Sequence, residues 1–242
     1  MAKADLIYAA ALDEIIDFRF DEKVVNVFPD MIQRSVPGYA TMLNNMAILA
    51  ARYAQDNSHC YDLGCSLGAV SLAMSQTIQQ DNCDIIAIDN SPEMIKQGQQ
   101  HLAKPRGSDI LVTMHCADIQ DIVIENASVV VLNFTLQFIP LADRLALIKR
   151  IYQGLNTGGV LILSEKLAFD LEQDNFHINA HHDFKRANGY SDLEISQKRT
   201  ALENVLIPET LATHQQRLKQ AGFNFSEQWF QCFNFASMIA IK

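Results

Sequence analysis

The residues most suggestive of chemistry are an acidic residue and two glycines, in the stretch Tyr61-Asp62-Leu63-Gly64-Cys65-Ser66-Leu67-Gly68. Glycines allow a sharp turn and a close approach to a ligand, because no Cβ stands in the way. A helix that starts after this turn would present free backbone N–H groups to the ligand. The stretch therefore predicts a nucleotide-binding turn between a strand and a helix.

A second acidic site supports this interpretation. Residues 84–90 read DIIAIDN, an apolar strand that ends in Asp89 and Asn90. A carboxylate at the tip of the second strand of a parallel sheet is placed to bind ribose hydroxyls. We therefore expect Asp89 and Asn90 to bind the ribose and adenine of a nucleoside.

Two cofactor classes fit a glycine loop plus an acid: dinucleotides and S-adenosylmethionine. The dinucleotide fingerprint is Gly-x-Gly-x-x-Gly, whereas here Gly64 and Gly68 have Ser66 between them. The carboxylate of Asp62 would repel a pyrophosphate but suits the cationic end of S-adenosylmethionine. The spacing favours the sulfonium compound, and a glycine turn without a ligand is the alternative.

Further polar residues follow the third and fourth predicted strands. Asp118 could bond the adenine amino group while Ile119 packs on the ring, and Asn133 stands where ligands bind in open α/β sheets. Each of these residues could instead be an ordinary polar strand end. Their common position at the carboxyl edge of the sheet favours binding.

Other reactive residue types give weaker signals. Cys65 lies in the glycine loop, but no His is near in sequence to activate it, so we interpret it as a small side chain in a tight turn. The five cysteines include no CxxC pair, and neither a disulfide framework nor a zinc site is indicated.

His181-His182-Asp183 resembles a metal cluster but lacks a third ligand by spacing, so a polar helix face or cap is the better interpretation, and we expect no metal. Lys198 and Arg199 are a solvated pair or a carboxylate clamp.

The composition limits the classes of function. The chain has 242 residues, 49% of them apolar, and a net charge of −9. This is enough for one sizeable domain with a full core. The acidic balance argues against direct binding to a nucleic-acid backbone. Without a long apolar run or a secretory h-region in the first residues, we expect a cytoplasmic protein that does not enter the membrane.

Strands and helices alternate through the middle of the chain, which predicts a doubly wound, mostly parallel sheet. The predicted strands are residues 59–63, 85–89, 110–116, 128–132 and 160–165, with helices at 67–78, 91–102 and 141–155 between them. A turn at 156–159 closes the last of these helices. A further helix at 208–221 and an antiparallel pair at 223–230 and 233–241 complete an α/β fold of seven strands.

Two segments lie outside this alternation. Residues 1–55 are mostly helical by pattern, with a break at Pro29, and could fold over the opening of the glycine loop. Residues 168–205 form a polar, cationic insertion that we interpret as a helical cap or an oligomer contact. We therefore divide a single domain into residues 1–55, a cofactor-binding core at 56–167, the insertion, and a C-terminal part at 206–242.

Several motifs together resemble those of the carboxy-S-adenosyl-L-methionine synthases, class I methyltransferase-like enzymes of bacterial tRNA modification. The motifs are DLGCSLG, IIAIDNSPEMI, VVVLNFTLQF and HHDFKRANGYSDLEISQKR, with FDEKVVNVFPDMIQRSVPGY near the N-terminus and WFQCFNF near the C-terminus. Many methyltransferases share the glycine loop, but the N-terminal and insertion motifs are far more specific. The match is poorest at the extreme N-terminus and at 168–176.

The resemblance implies an unusual reaction. The family transfers no methyl group; it joins a carboxyl group derived from prephenate to the methyl carbon of S-adenosyl-L-methionine and releases phenylpyruvate. The product, carboxy-S-adenosyl-L-methionine, supplies a carboxymethyl group for wobble uridine in tRNA through a separate enzyme. The resemblance also implies a homodimer. By matching motif, the ligand-binding residues are Tyr39, Gly64, Cys65, Ser66, Asp89, Asn90, Asp118, Ile119, Asn133 and Arg199, with Arg199 on the added carboxylate.

This chemistry requires little from the protein. A sulfonium acidifies its methyl group, and prephenate becomes aromatic as it loses carbon dioxide and hydroxide. The hydroxide could take the methyl proton, and the resulting ylide could capture the carbon dioxide, so no protein nucleophile is expected. The chain need then supply only orientation, water exclusion and cationic anchors. An ordinary small-molecule methyltransferase and a non-catalytic cofactor-binding subunit are the alternatives.

Overall fold

The computed structural model describes residues 3–103 and 110–242 of the chain. Met1 and Ala2, in the predicted N-terminal segment, and residues 104–109, in the predicted cofactor-binding core, lie outside the described residues. None of the described helices is long and apolar enough to cross a membrane.

The described part of the chain contains eight α-helices and seven strands. The helices are α1 (Glu22–Ser35), α2 (Tyr39–Tyr53), α3 (Ala69–Ser75), α4 (Pro92–Leu102), α5 (Arg144–Gly154), α6 (Leu171–Ala187), α7 (Asp192–Leu202) and α8 (Leu211–Ala221). The strands are β1 (His59–Leu63), β2 (Asp84–Asp89), β3 (Val112–Cys116), β4 (Ala127–Asn133), β5 (Leu155–Lys166), β6 (Phe225–Cys232) and β7 (Phe235–Ile241).

All seven strands form one sheet, in the order β3-β2-β1-β4-β5-β7-β6. Neighbouring strands are parallel except where β7 pairs antiparallel with β5 and β6. The prediction of a doubly wound, mostly parallel sheet that ends in an antiparallel pair is confirmed. The strand order reverses between β1 and β4, and ligands of open α/β sheets bind at this kind of crevice.

Helices cover both faces of the sheet. Alternate residues of the central strands, among them Leu63 and Leu132, pack on one face with Leu147 and Ile151 of α5 and with α8. The residues between them, such as Val131, pack on the other face with α2 and α3. Strands that are apolar on both sides are typical of a sheet buried between two helical layers.

Three local predictions were wrong. Residues 3–21 are not helical, and α1 starts only at Glu22, where the Asp21 side chain accepts from two backbone N–H groups. The expected break at Pro29 is absent, since α1 runs through it and buries Val24 and Met31 in the core. This packing outweighs the unfavourable proline.

The third wrong prediction is the turn at 156–159. These residues belong to β5, because Gly158 and Gly159 exchange backbone hydrogen bonds with Lys242 at the end of the chain. That partner lies far away in the sequence, and the glycine pair alone gave no sign of it.

Candidate active site

The strand register brings the first glycine of the loop and two polar residues to one level. Leu63 of β1 is paired with Ile88 of β2 on one side and with Leu132 of β4 on the other. The next residues are Gly64, Asp89 and Asn133, which therefore lie side by side at the carboxyl edge of the sheet.

The glycine loop is held tightly in place. Gly64 and Cys65 both donate backbone N–H groups to the carbonyl of Ile88, at 2.8 and 2.9 Å. Gly64 has a φ of +79°, and a Cβ added there would lie 2.3 Å from Oγ1 of Thr135. Only glycine fits both the left-handed backbone and this close approach.

Asp62 lies beneath the loop and is almost fully buried. Its Oδ2 accepts from the backbone N–H and the hydroxyl of Ser71, at 3.0 and 2.6 Å. Its Oδ1 is buried and has no hydrogen-bond partner among the described residues. Burial raises the pKa of the Asp62 carboxyl to about 6, although the bonds from Ser71 oppose the shift. This oxygen can accept from a cationic or N–H donor of a ligand.

Asp89 ties the loop to the next strand. Its two carboxylate oxygens accept backbone N–H groups from Ser66 and Ser91, each at 2.9 Å. Burial raises its pKa above the ordinary value for an aspartate. Each oxygen keeps a free lone pair, so the group can still accept from two hydroxyls.

Two further predicted residues lie along the same edge. Asp118 accepts from the backbone N–H of Gln120 at 2.8 Å, beside the buried Ile119. The Oδ1 of Asn133 is buried and lacks a partner in the described part of the chain. With Asp62, this gives two unpaired buried oxygens at the edge, which is typical of a site that takes a donor-bearing ligand.

A cavity of about 750 Å³ opens above this edge. All ten residues predicted to bind the ligand line it: Tyr39, Gly64, Cys65, Ser66, Asp89, Asn90, Asp118, Ile119, Asn133 and Arg199. The cavity is large enough for a nucleoside-sized ligand together with a smaller molecule. We call the part around Asp62, Asp89 and Asp118 the acidic end.

The N-terminal segment and α1 cover the cavity, as the sequence suggested. Phe20 packs edge-on against Phe28 of α1 and Phe138, at centroid distances of 6.2 and 5.4 Å, and all three line the cavity. Tyr39 is the first residue of α2, and burial, followed by the charge of Asp62, raises its pKa so that it stays a neutral hydroxyl.

The opposite side of the cavity is basic. It is lined by Lys166 at the end of β5, by His181, His182 and Lys185 of α6, and by Lys198 and Arg199 of α7. We call these six residues the cationic wall. Asp174 and the exposed Glu203 also line the cavity. Apart from Asp174 and Glu203, the charges of the cavity are segregated: carboxylates lie at the carboxyl ends of the first three strands, and cations come from the last parallel strand and the insertion.

Burial keeps the histidines of the wall neutral. The pKa of His181 is lowered to about 2, by burial and then by the charges of Lys185 and Lys166. Its Nε2 lies 2.8 Å from the carbonyl oxygen of Ser35, so this nitrogen carries the proton. His182 is shifted in the same direction for the same reasons. His181 does not stand on an exposed helix face, because α6 turns it inwards onto α1. Its bond to Ser35, the last residue of α1, fits the other interpretation, a helix cap.

Lys198 is held by the N-terminal segment. Its Nζ lies 3.4 Å from Oδ2 of Asp5, a carboxylate that also accepts from the Tyr190 hydroxyl at 2.5 Å. Neighbouring Gln197 donates to the carbonyls of Tyr8 and Ala10 at 3.0 and 2.8 Å. The first residues therefore dock on α7 and fix its position beside the cavity.

Arg34, in the last turn of α1, is another arginine near the insertion, but its guanidinium is already bound by other groups. Its guanidinium donates to the carbonyls of Asn188 and Asp5, pairs with Asp30 at 3.1 Å and stacks on the Tyr190 ring. It does not line the cavity, whereas Arg199 does and is exposed at its mouth. The geometry therefore favours Arg199 over Arg34 as a group that can reach a ligand.

The polar residues of the cavity that sequence reasoning missed include Lys166, Lys185 and Asn234. Lys166 ends a parallel strand, a position that could have been found by the same rule as Asp89. Lys185 follows His181 by one helical turn, so the two share a face of α6. Asn234, in the turn between β6 and β7, is buried with an unpaired Oδ1 among the described residues and carried no signal in the sequence.

Comparison with known proteins places the chain among methyltransferase-like enzymes. A family model described as a methyltransferase domain matches residues 61–159. A protein of Citrifermentans bemidjiense named carboxy-S-adenosyl-L-methionine synthase is 68% identical over 241 residues, which are 99% of each chain. One of the same name from Pseudoalteromonas translucida is 58% identical over the full length of both.

Solved structures share the fold at low sequence identity. A putative S-adenosyl-L-methionine-dependent methyltransferase from Methanococcus maripaludis superposes with a TM-score of 0.60 at 22% identity, covering 96% of this chain and 97% of that one. Human N-acetylserotonin methyltransferase, solved in complex with S-adenosylmethionine, gives 0.59 at 15% identity, covering 91% of this chain and 56% of that one.

Proposed function

The chain belongs to the family of carboxy-S-adenosyl-L-methionine synthases, and from that premise we propose how its cavity carries out the reaction. The protein converts S-adenosyl-L-methionine and prephenate into carboxy-S-adenosyl-L-methionine and phenylpyruvate. The observation that supports this assignment is the charge distribution in one cavity, with Asp62, Asp89 and Asp118 at one end and mainly cations at the other.

S-adenosyl-L-methionine binds at the acidic end. Asp89 accepts from the ribose hydroxyls, and Asp118 and Ile119 hold the adenine. The buried Oδ1 atoms of Asp62 and Asn133 have no donor among the described residues. The ammonium group of the methionine part can donate to them. Gly64 packs closely against Thr135 and has no side chain of its own. The ligand can therefore lie directly on the backbone of the loop.

Prephenate binds on the side of the cationic wall. It carries two carboxylates, and a cavity lined by lysines and an arginine attracts a dianion although the whole chain has a net charge of −9. The same wall stabilises the carboxylate of the product, with Arg199 as its bidentate partner.

The reaction needs orientation rather than a protein nucleophile. Prephenate loses carbon dioxide and its ring hydroxide as the ring becomes aromatic. The hydroxide takes a proton from the sulfonium methyl group to give water, and the carbanion so formed attacks the carbon dioxide to form the new carbon–carbon bond. Cys65 is buried, and burial raises the pKa of its thiol, so it takes no part as a thiolate.

Aromatic side chains over the cavity exclude water from these reaction steps. Phe18, Phe20 and Phe28 line the cavity on the N-terminal side, and carbon dioxide released beneath them stays close to the methyl carbon. Water exclusion also strengthens the attraction between the wall and the carboxylates.

The product serves a separate enzyme that modifies wobble uridine in tRNA, and this chain makes no direct contact with tRNA, in line with its negative net charge. The protein works as a cytoplasmic homodimer. Light scattering after size exclusion tests the dimer, and a mass of one chain would contradict it.

The reaction is tested by incubating the protein with both substrates and measuring the products by mass spectrometry. We expect phenylpyruvate only when S-adenosyl-L-methionine is present, and an adenosyl product heavier by the mass of carbon dioxide, about 44 mass units. Formation of S-adenosylhomocysteine in step with turnover would show an ordinary methyltransferase instead. Retention of unchanged S-adenosyl-L-methionine without turnover would show a binding subunit.

A further inference from the structure

The lysines of the cationic wall differ in whether they have a counter-charge. Lys198 lies within ion-pair distance of Asp5. Among the residues whose side chains the structure describes, no carboxylate lies within that distance of Lys185 or Lys166. Lys185 is only 7% exposed and lines the cavity, so its amino group is largely withdrawn from bulk solvent and has no ion-pair partner among the described side chains.

Such an arrangement is unfavourable in the free protein. Burial, followed by the charges of Lys198 and Lys166, lowers the pKa of Lys185 to about 7, and Asp5 only partly offsets this. Lys166 is shifted down by burial and by Arg199, with Asp174 opposing. A buried ammonium without a partner destabilises a fold. A ligand that supplies negative charge would remove this penalty.

The surroundings of Lys185 offer no other source of that charge in the described part of the chain. Facing it are Lys166 from β5, Lys198 from α7 and Asp5 from the N-terminal segment. On its own helix, His181 is neutral and donates to Ser35. The Asp5 carboxylate is already shared by Lys198 and Tyr190. The open direction is the cavity.

We infer that Lys185 and Lys166 form a dicarboxylate subsite, in which they bind the two carboxylates of the second substrate and so distinguish it from its monocarboxylate product. The inference rests on the proposed function and extends it to residues that set substrate specificity. When one carboxylate leaves as carbon dioxide, one of the two lysines loses its partner. The remaining product is then held more weakly, which favours its release.

Binding at this subsite should also change the number of protons that the protein holds. A carboxylate beside Lys185 favours the charged ammonium, so the anion binds together with a proton taken from the solvent. At pH 8, above the pKa of about 7 in the free protein, we expect an uptake approaching one proton at Lys185. Lys198, whose pKa is lowered to about 8, adds to the uptake through the same anion.

The test uses binding without turnover. The full-length protein is saturated with S-adenosylhomocysteine, which has no methyl group to react, and titrated calorimetrically with prephenate or phenylpyruvate at pH 8. Phosphate and Tris buffers, which differ in ionisation enthalpy, report the proton uptake. The variants are Lys185→Met and Lys166→Met, and the control is Lys219→Met, an exposed lysine of α8 that does not line the cavity.

We expect the wild type and the control to bind prephenate more tightly than phenylpyruvate, with proton uptake. Lys185→Met should weaken prephenate binding roughly thirtyfold or more and narrow the difference between the two ligands. It should also abolish most of the uptake, while the melting temperature of the free protein stays the same or rises, because an apolar side chain replaces a buried amine.

Other outcomes separate the two proposals. Unchanged affinity and uptake in both variants, or a fall in melting temperature together with affinity, would overturn the subsite and indicate a structural role. A wild-type protein that binds prephenate without proton uptake and no more tightly than phenylpyruvate would also overturn it, whatever the variants do. If the wild type holds S-adenosylhomocysteine but not prephenate, the proposed function itself fails.

Discussion

Ser66 donates its backbone N–H to Oδ2 of Asp89 at 2.9 Å, so one carboxylate both shapes the glycine loop and faces the cavity. The loop after β1 and the end of β2 are thereby one structural unit. A change at Asp89 acts on the ligand directly and on the loop that cradles it.

Asp89→Ala should weaken the binding of S-adenosylmethionine, because the ribose hydroxyls lose a charged acceptor and Ser66 loses its partner. A hydrogen bond to a charged group contributes about 1.5–3 kcal/mol, and we expect a loss of at least that size. Calorimetric titration measures it. Asp84→Ala, at the opposite end of β2, is the matched control. Equal affinity in both variants would remove Asp89 from the site.

Gly64→Ala should destabilise the protein more than Gly158→Ala. The two glycines have nearly the same φ, +79° and +78°, so the strain of a left-handed alanine, about 1–2 kcal/mol, is common to both. An added Cβ at Gly64 would lie 2.3 Å from Thr135, whereas at Gly158 the nearest atom, in Gln55, is 3.7 Å away. Urea unfolding of both variants isolates the clash, and equal losses would contradict the packing described here.

The pH dependence of ligand binding should reveal Asp62. Its pKa of about 6 in the folded protein means that it becomes protonated as the pH falls from 7 to 5, and a neutral group attracts the cationic ligand less. The affinity for S-adenosylmethionine should therefore fall over this range, and Asp62→Asn should flatten the profile. A profile that is the same in both proteins would show that Oδ1 of Asp62 does not face the ligand.

The same shift has a consequence for stability. Because the folded pKa of Asp62 lies above the unfolded value of 3.8, the folded state binds more protons between these values. The contribution of Asp62 to stability is therefore present below pH 4 and lost as the pH rises to 6. Asp62→Asn should be more stable than the wild type at pH 7, by an amount that shrinks towards pH 4. Thermal unfolding at several pH values tests this.

Arg199→Ala should distinguish the two adenosyl ligands. The added carboxylate exists only in carboxy-S-adenosyl-L-methionine, so the variant should lose affinity for that ligand and keep most of its affinity for S-adenosyl-L-methionine. Since Arg199 is exposed at the mouth of the cavity, solvent screening limits the loss to about 1–3 kcal/mol. Arg186→Ala, an exposed arginine of α6 outside the cavity, is the control. Equal weakening of both ligands would assign Arg199 to the fold.

Most of the sheet could be predicted because its signals are local. Apolar strands, glycine turns and a serine followed by Pro92 mark their own boundaries, and the structure follows them within a few residues. The residues at the strand ends could be predicted for the same reason, since parallel strands bring their carboxyl ends to one edge. Asp89, Asp118 and Asn133 meet there as expected.

Features that depend on distant partners could not be predicted in this way. Arg34 is removed from the cavity by the carbonyl of Asn188, and His181 is turned inwards onto Ser35. Pro29 stays helical because its neighbours are buried under the N-terminal segment. In each case a tertiary contact outweighs the local pattern, and no spacing in the sequence reports which contact forms.

The ion pair between Asp5 and Lys198 joins residues 193 positions apart. At a synthesis rate of about 5–20 residues per second, Asp5 is made roughly 10–40 s before its partner. A nascent chain that stops before α7 should leave residues 5–12 open to protease, whereas the finished chain protects them through Gln197 and Lys198. The cavity therefore gains its N-terminal cover only after α7 has been made, and a nascent chain that lacks α7 has the glycine loop without that cover.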